Sequence, residues 1–307
     1  WDEDPRGYHA FNIALHLLAA VAVFRLIGLL GAGAGAALLG ALAFALHPVN
    51  TEAVALASNR EELLCGLFFF LSFAFYLKET RVSFAASVAC FFVAIFSKEM
   101  AASLPLVLAA HDLCAAPSGE SALATLRRVA ARYTPYLAGV ALLLALRYTV
   151  FRNTEGEAGW IGGGPWATAL TMSRVFFDYL RLIVFPIGFC ADHYTAVLSG
   201  ARSAADVAPL AGVAAFVLLA LALRRRAPGP SFAAAFFFLT FLPVSNIIPF
   251  GETMAERYMY IPAFGVFFAW SLLIERARAR RRAFAAAAVV ALALAVLTLS
   301  LIHISEP

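Results

Sequence analysis

Eleven apolar runs alternate with short polar connections along the chain, at residues 9–28, 33–47, 63–78, 82–97, 100–114, 133–151, 167–186, 207–224, 231–249, 258–275 and 283–303. A helix needs about 20 apolar residues to cross a hydrocarbon core, and the shorter runs fit tilted helices or segments that dip partway. The pattern predicts an all-α polytopic bundle of about ten spans over 1–307. Run 167–186 stands apart, because Arg174, Asp178 and Arg181 recur four and three residues apart on one helical face, with Phe177, Leu180 and Val184 on another. That spacing predicts an amphipathic, membrane-hugging or re-entrant helix inside one long segment, 152–206. A buried span with an internal ion pair is the other reading. The small-residue stretches 31–40 and 283–288 suit close helix packing in lipid rather than linkers. No 20–50-residue period marks a repeat array.

Composition agrees with the membrane reading. Of 307 residues, 63% are apolar and 14% charged, and the mean hydropathy is +0.83. A soluble domain carries roughly a quarter charged residues and about half apolar ones. Too little polar surface remains here to cover a globule in water, which excludes a soluble enzyme, a disordered segment and a nucleic-acid partner despite the basic pI. Four cysteines without a CxxC pair and six scattered histidines without HExxH indicate no disulfide framework and no zinc site. No metal or cofactor is expected, although a divalent metal stays open.

Charge placement orients the bundle. Arg127, Arg128 and Arg132, the 224–226 arginines, the 276–282 arginines, and Lys78 with Arg81 mark four connections that the positive-inside rule puts in the cytoplasm. The other connections hold the acids and the unusual polar motifs. They include His47-Pro48-Val49-Asn50-Thr51-Glu52, Ser58-Asn59-Arg60-Glu61-Glu62, Ser97-Lys98-Glu99-Met100, Asp192-His193-Tyr194 and the 251–258 segment with Glu252, Glu256, Arg257 and Tyr258. Gathered at one membrane boundary, they suit a substrate with an apolar tail in lipid and a charged head at the surface.

Each motif also has a structural reading. His9, Asn12 and His16 form a polar stripe that interhelical hydrogen bonds would explain. Pro48 ends a helix by restricting His47. Lys98-Glu99 could be a solvated cap, and Arg257 beside Tyr258 and Tyr260 an interfacial anchor. Arginine is also the side chain whose planar fork grips a phosphate, and a carboxylate such as Glu52 at the mouth of a bundle calls for a partner.

Four segments carry a family resemblance: Gly7-Tyr8-His9-Ala10-Phe11-Asn12 through His16; His47 to Val54 with Asn59-Arg60-Glu61-Glu62; Phe96-Ser97-Lys98-Glu99-Met100 through His111-Asp112-Leu113; and Phe241 to Pro262, including Asn246, Glu252, Glu256, Arg257 and Tyr260. In order and on one topological face, they resemble the transmembrane and tetratricopeptide-repeat O-mannosyltransferase family. The resemblance implies a glycosyltransferase C-like membrane domain. Such an enzyme moves a sugar, typically mannose, from a polyprenyl phosphate carrier to a hydroxyl acceptor, often protein Ser or Thr, on the external face. It also implies a catalytic acid in a first loop preceding this sequence and repeats following it, so no residue here is assigned as that acid and the segment alone is expected to be inactive. The expected substrate-binding set is His47, Glu52, Arg60, Lys98, Glu99, His193, Glu256, Arg257 and Tyr260, with Glu52 as the supporting catalytic candidate. Arg257 and Lys98 would neutralise phosphate, Glu52 would orient sugar or acceptor, and Arg60, Glu99 and Glu256 would brace the cations. The arginine-dominated basic set suggests a bacterial cytoplasmic membrane with a periplasmic site, or an endoplasmic reticulum membrane if the source is eukaryotic. A lipid-linked-substrate flippase and a membrane anchor for a repeat domain are the alternatives.

Overall fold

The computed structural model describes residues 5–117, 120–150, 159–190, 193–277 and 279–305; Asp2, Glu3, Asp4 and Asp192 lie outside them. The described residues form α-helices and short 3-10 turns joined by irregular connections, with no strand among them. The helices are α1 (Pro5–Leu29), α2 (Ala34–Leu46), α3 (Thr51–Ala55), α4 (Arg60–Tyr76), α5 (Arg81–Ser97), α6 (Leu104–Cys114), α7 (Ala122–Thr149), α8 (Pro165–Val184), α9 (Ala204–Leu223), α10 (Pro228–Phe241), α11 (Ala263–Arg276) and α12 (Arg280–Ser305). Every apolar run therefore holds a helix, and α3 is an addition in a polar connection.

The breaks follow local chemistry. Pro48 pushes His47 out of the helical region to φ −78°, ψ 131°, and the chain turns by 51° before resuming as α3. Lys98 is likewise extended, at φ −158°, ψ 143°, between α5 and a 3-10 turn at Glu99–Ser103. Ser203 and Asp206 close a capping box at the start of α9. The core is aromatic, with Phe236 and Phe264 ring centroids 4.7 Å apart where α10 meets α11. Those helices approach so closely that a Cβ on Gly265 would stand 2.6 Å from the Ala233 carbonyl oxygen.

The expectation of about ten spans is corrected. Among the described residues, four helices are long and apolar enough to cross a membrane: Arg6–Leu29, Ala122–Thr149, Ala204–Leu223 and Arg281–Leu301. The bent pair Ala34–Leu46 and Pro48–Ala55 brings the number to five at most. At 1.5 Å per residue, 17 residues of α4 or α5 and 14 of α10 or α11 reach only about 21–26 Å, against a core of about 30 Å. Polar breaks at His47, Lys98 and 242–262 shorten the runs.

Helix α8 is amphipathic, as expected, but its apolar stripe is a different one. Thr168, Met172, Val175, Tyr179 and Leu182 are buried, whereas Phe177 and Val184 are exposed, the latter at 55%. The packed face advances by threes and fours through 168, 172, 175, 179 and 182, leaving Phe177 and Val184 on the outer side. Arg174 reaches Asp206 at the start of α9, 2.5 Å away.

Polar groups collect at two ends. Along α4, Glu62 and Tyr76 are separated by roughly 21 Å of helix. At the Tyr76 end, the Tyr76 and Tyr133 hydroxyls each donate to Asp112 at 2.6 Å. Arg132 there donates to the Tyr76 carbonyl at 3.4 Å, and Arg225 donates to the Glu120 carbonyl. The Glu62 end holds the motifs.

Candidate functional site

Three segments distant in sequence converge at this end: the α3–α4 region, the α5–α6 break and the 3-10 turn at Glu256–Met259. Arg257 is the centre. Its Nη1 donates to Glu52 Oε1, and its backbone N–H donates to Glu52 Oε2 at 2.9 Å. Its Nη2 donates to both oxygens of Glu252, at 2.7 and 2.6 Å. The Tyr258 hydroxyl donates to Glu252 as well, and the Arg257 guanidinium lies 4.9 Å from the centroid of the Tyr258 ring. Lys98 lies 5.4 Å from the same ring. Its ammonium donates to Glu62 at 2.5 Å and to Glu61 at 3.4 Å. Two cations thus flank one tyrosine, each already held by a pair of carboxylates.

The electrostatics follow from burial. Glu62 is fully buried, and its second oxygen Oε2 has no hydrogen-bond partner. Burial pushes its carboxyl up to about 7, and Lys98 offsets only part of that. Burial works against the charge on Arg257, but the Glu52 and Glu252 carboxylates outweigh it and raise its pKa. The Tyr258 hydroxyl is pushed up by burial and by Glu252. Glu52 is largely enclosed, while the Glu252 side chain is 43% exposed, which makes Glu252 the replaceable partner of Arg257.

Neighbouring segments hold this turn in place. The Tyr179 hydroxyl on α8 accepts from the Ala255 N–H and donates to the Ala255 carbonyl, both at 2.9 Å. Asn246 takes a left-handed φ of 54°, donates to the Glu252 carbonyl at 2.8 Å and accepts from the Phe250 N–H at 3.2 Å. On the far side, Glu256 accepts from the Cys190 N–H at 2.9 Å and pairs with His193 Nε2 at 2.8 Å; burial raises its pKa, His193 opposing.

Of the expected residues, Glu52, Lys98 and Arg257 meet, and Glu256 with His193 borders them. Glu52 clasps Arg257 rather than reaching open space. Lys98 is braced by Glu61 and Glu62, not by Arg60, Glu99 or Glu256. Arg60 instead donates to Asn12 at 3.4 Å and lies over the Tyr8 and Phe11 rings at 5.4 and 5.2 Å. Glu99 is exposed. His47 is committed to the backbone, its Nε2 donating to the Ile183 carbonyl at 2.9 Å and its Nδ1 accepting from the Val49 N–H at 3.1 Å. Tyr260 is fully buried and donates to His16 Nδ1 at 2.9 Å, so the His16 stripe serves helix packing. Sequence reading named Glu62, Glu252 and Tyr258 within the motifs but gave them no place in the binding set, and it passed over Tyr179. Glu62 was findable, because 62, 65, 66, 69 and 73 form one helical stripe that α4 buries.

No protein-family model matches the chain, and no solved structure does. Curated relatives match most of it, in agreement with the resemblance carried by the four motifs. Mouse protein O-mannosyl-transferase TMTC3 is 27% identical over 299 residues, covering 85% of this chain and 32% of the relative. Human protein O-mannosyl-transferase TMTC4 is 27% identical over 321 residues, covering 85% of this chain and 43% of its own length. A Caenorhabditis elegans protein O-mannosyl-transferase is 24% identical, with 84% and 38% covered. The chain thus spans less than half of the length of each of these three relatives.

Proposed function

We propose that the chain forms the membrane-embedded part of a glycosyltransferase that moves a sugar, mannose by analogy with the relatives, from a polyprenyl phosphate to a hydroxyl of a protein acceptor. The observation that carries this reading is the placing of Arg257 and Lys98 against one tyrosine ring, from segments 159 residues apart. Paired cations at the rim of an apolar bundle suit a phosphate whose lipid tail lies in the membrane. The reaction is a single displacement: the acceptor oxygen loses its proton to a base, attacks the anomeric carbon, and the carrier phosphate leaves with the bonding electrons. Negative charge grows on that phosphate, where preorganised cations act most strongly. Glu52 keeps Arg257 in position through both its guanidinium and its backbone, while the more exposed Glu252 gives way to the phosphate. Lys98, levered by Glu62, faces the same ring. The acceptor's base is not assigned to a residue of this segment. We place the site on the external face of a multi-pass membrane protein, periplasmic in a bacterial cell.

The test uses the full-length enzyme in membranes, with a polyprenyl phosphate mannose donor and a Ser/Thr peptide. Arg257→Ala should lower transfer on the order of a hundredfold, the typical loss when one charged donor to a developing anion is removed. Arg257→Lys should restore only part, since it keeps the charge but loses the fork. Near-normal turnover by Arg257→Ala would return this arginine to a purely structural role.

A further inference from the structure

A cavity of about 630 Å³ lies between α1, α2 and α4, toward the Tyr76 end of α4, with Ala74, Phe75 and Lys78 in its lining. Its walls are almost wholly apolar and narrow in side chain, with Ala22, Gly28, Ala37 and Ala74 where bulkier residues would close it. A Cβ added at Gly28 would meet nothing within 4 Å, so the groove is open at that point. Two cations line it, Arg25 near the end of α1 and Lys78 just after α4, and both are exposed. Among the described residues Arg25 forms no ion pair, and the Lys78 ammonium rests 5.2 Å from the Phe75 ring centroid. The adjacent acid, Glu79, is turned toward Arg132 at 3.7 Å and does not neutralise them. Cations near helix C-termini also suit the helix dipole, but the dipole does not account for an open apolar groove between them.

We propose that this groove holds one acyl chain of an anionic phospholipid whose phosphate is bound by Arg25 and Lys78. An apolar channel ending at two uncompensated cations matches a single ligand chemistry, a hydrocarbon tail joined to a negative head. A zwitterionic lipid would bring its own cation to the same place and lose the advantage. Arg25 follows Asn12, which contacts the α3–α4 region, by 13 residues or roughly 20 Å of helix. The lipid site is therefore separate from the glycosyltransfer proposal and stands without it.

The experiment measures lipid retention by native mass spectrometry on the purified chain after exchange into detergent with dioleoyl phosphatidylglycerol or dioleoyl phosphatidylcholine. The unaltered chain should keep one phosphatidylglycerol in preference to phosphatidylcholine. Each basic residue near a membrane surface adds to the attraction for anionic lipid, so Arg25→Gln with Lys78→Gln should reduce the preference on the order of tenfold or more. Gly28→Leu, which fills the groove and leaves the charges, should reduce retention of both lipids. Arg25→Lys should keep the preference, which covers the case in which the double variant fails to fold. Arg224→Gln with Arg226→Gln removes equal charge from another connection and should change nothing. Equal retention of both lipids by the unaltered chain, an undiminished preference in the double variant, or an equal loss in the Arg224 and Arg226 control would each overturn the proposal.

Discussion

A buried carboxylate beside a lysine decides what the site can do at a given pH. Glu62 is fully buried, has one oxygen without a partner, and is pushed up to about 7 chiefly by burial. Its folded pKa exceeds the ordinary value of 4.5, so between those two values the folded chain binds more protons than the unfolded one. By linkage, stability from this group is greatest below about pH 4.5 and is lost as pH rises toward 7. Glu62→Gln imitates the protonated acid and should flatten that decline, so melting temperatures of the variant and the unaltered chain should converge at pH 5. They should separate at pH 8 in favour of the variant, because only the native acid must then ionise in its buried place, while Glu61 still pairs with Lys98. A variant melting well below the unaltered chain at pH 8 would show that the ion pair with Lys98 outweighs the burial of charge. Glu252 plays the opposite part. It is the more exposed of the two carboxylates on Arg257, and removing its charge with Glu252→Gln should ease phosphate entry. Donor KM should then fall in the transfer assay, whereas Glu52→Gln, which loosens Arg257 itself, should lower kcat.

Helices were legible in the sequence as apolar runs, because a 3.6-residue period and the scarcity of charge are local properties. Their ends were less so. Whether a run crosses depends on where polar breaks fall, and His47-Pro48 and Lys98 cut potential spans into pieces too short to reach across. The orientation of α8 was not readable from its charges. Phe177 and Val184 look like its buried face, yet packing against neighbouring helices selects the stripe containing Tyr179. That choice places the Tyr179 hydroxyl on both backbone groups of Ala255 and so fixes the turn that presents Arg257. Tyr179→Phe would leave a buried N–H and a buried carbonyl without this partner, at a cost of about 1–3 kcal/mol. The expected outcome is a lower melting temperature and faster proteolysis within 245–256 at unchanged helix content. Equal protease resistance would mean that Asn246 and Glu252 hold the turn without α8.

Across the molecule, the motifs revealed which segments meet but not which side chains pair. Glu52, Lys98 and Arg257 could be named because their residue types suit a charged ligand. The partners of Lys98 depend on the rotation of α4, which turns Glu62 inward and leaves Glu61 at the surface. The same applies to Arg60, whose aromatic neighbours come from α1. The structure is polar at two ends, acid-rich with the Arg257 cluster at one and arginine-rich with Asp112 at the other, so the motif from Phe96 through Asp112, expected on one face, reaches both. If the apolar middle lies in a bilayer, those ends face opposite compartments, since charged connections do not rest in hydrocarbon. Ser58 and Glu99 are exposed at the first end, and Glu79 and Arg226 at the second. Single cysteines at these four positions, in a background carrying Cys190→Ser because Cys190 is exposed, should divide into two pairs. An impermeant thiol reagent added outside sealed cells should modify Ser58→Cys and Glu99→Cys, with Glu79→Cys and Arg226→Cys reacting only after permeabilisation. The positive-inside rule demands this sign as well as this division. Reaction of the second pair alone would invert the orientation and move the phosphate site to the cytoplasmic side. Reaction of Ser58→Cys and Arg226→Cys from the same side would show that the two ends share a compartment, and that the apolar middle does not separate them.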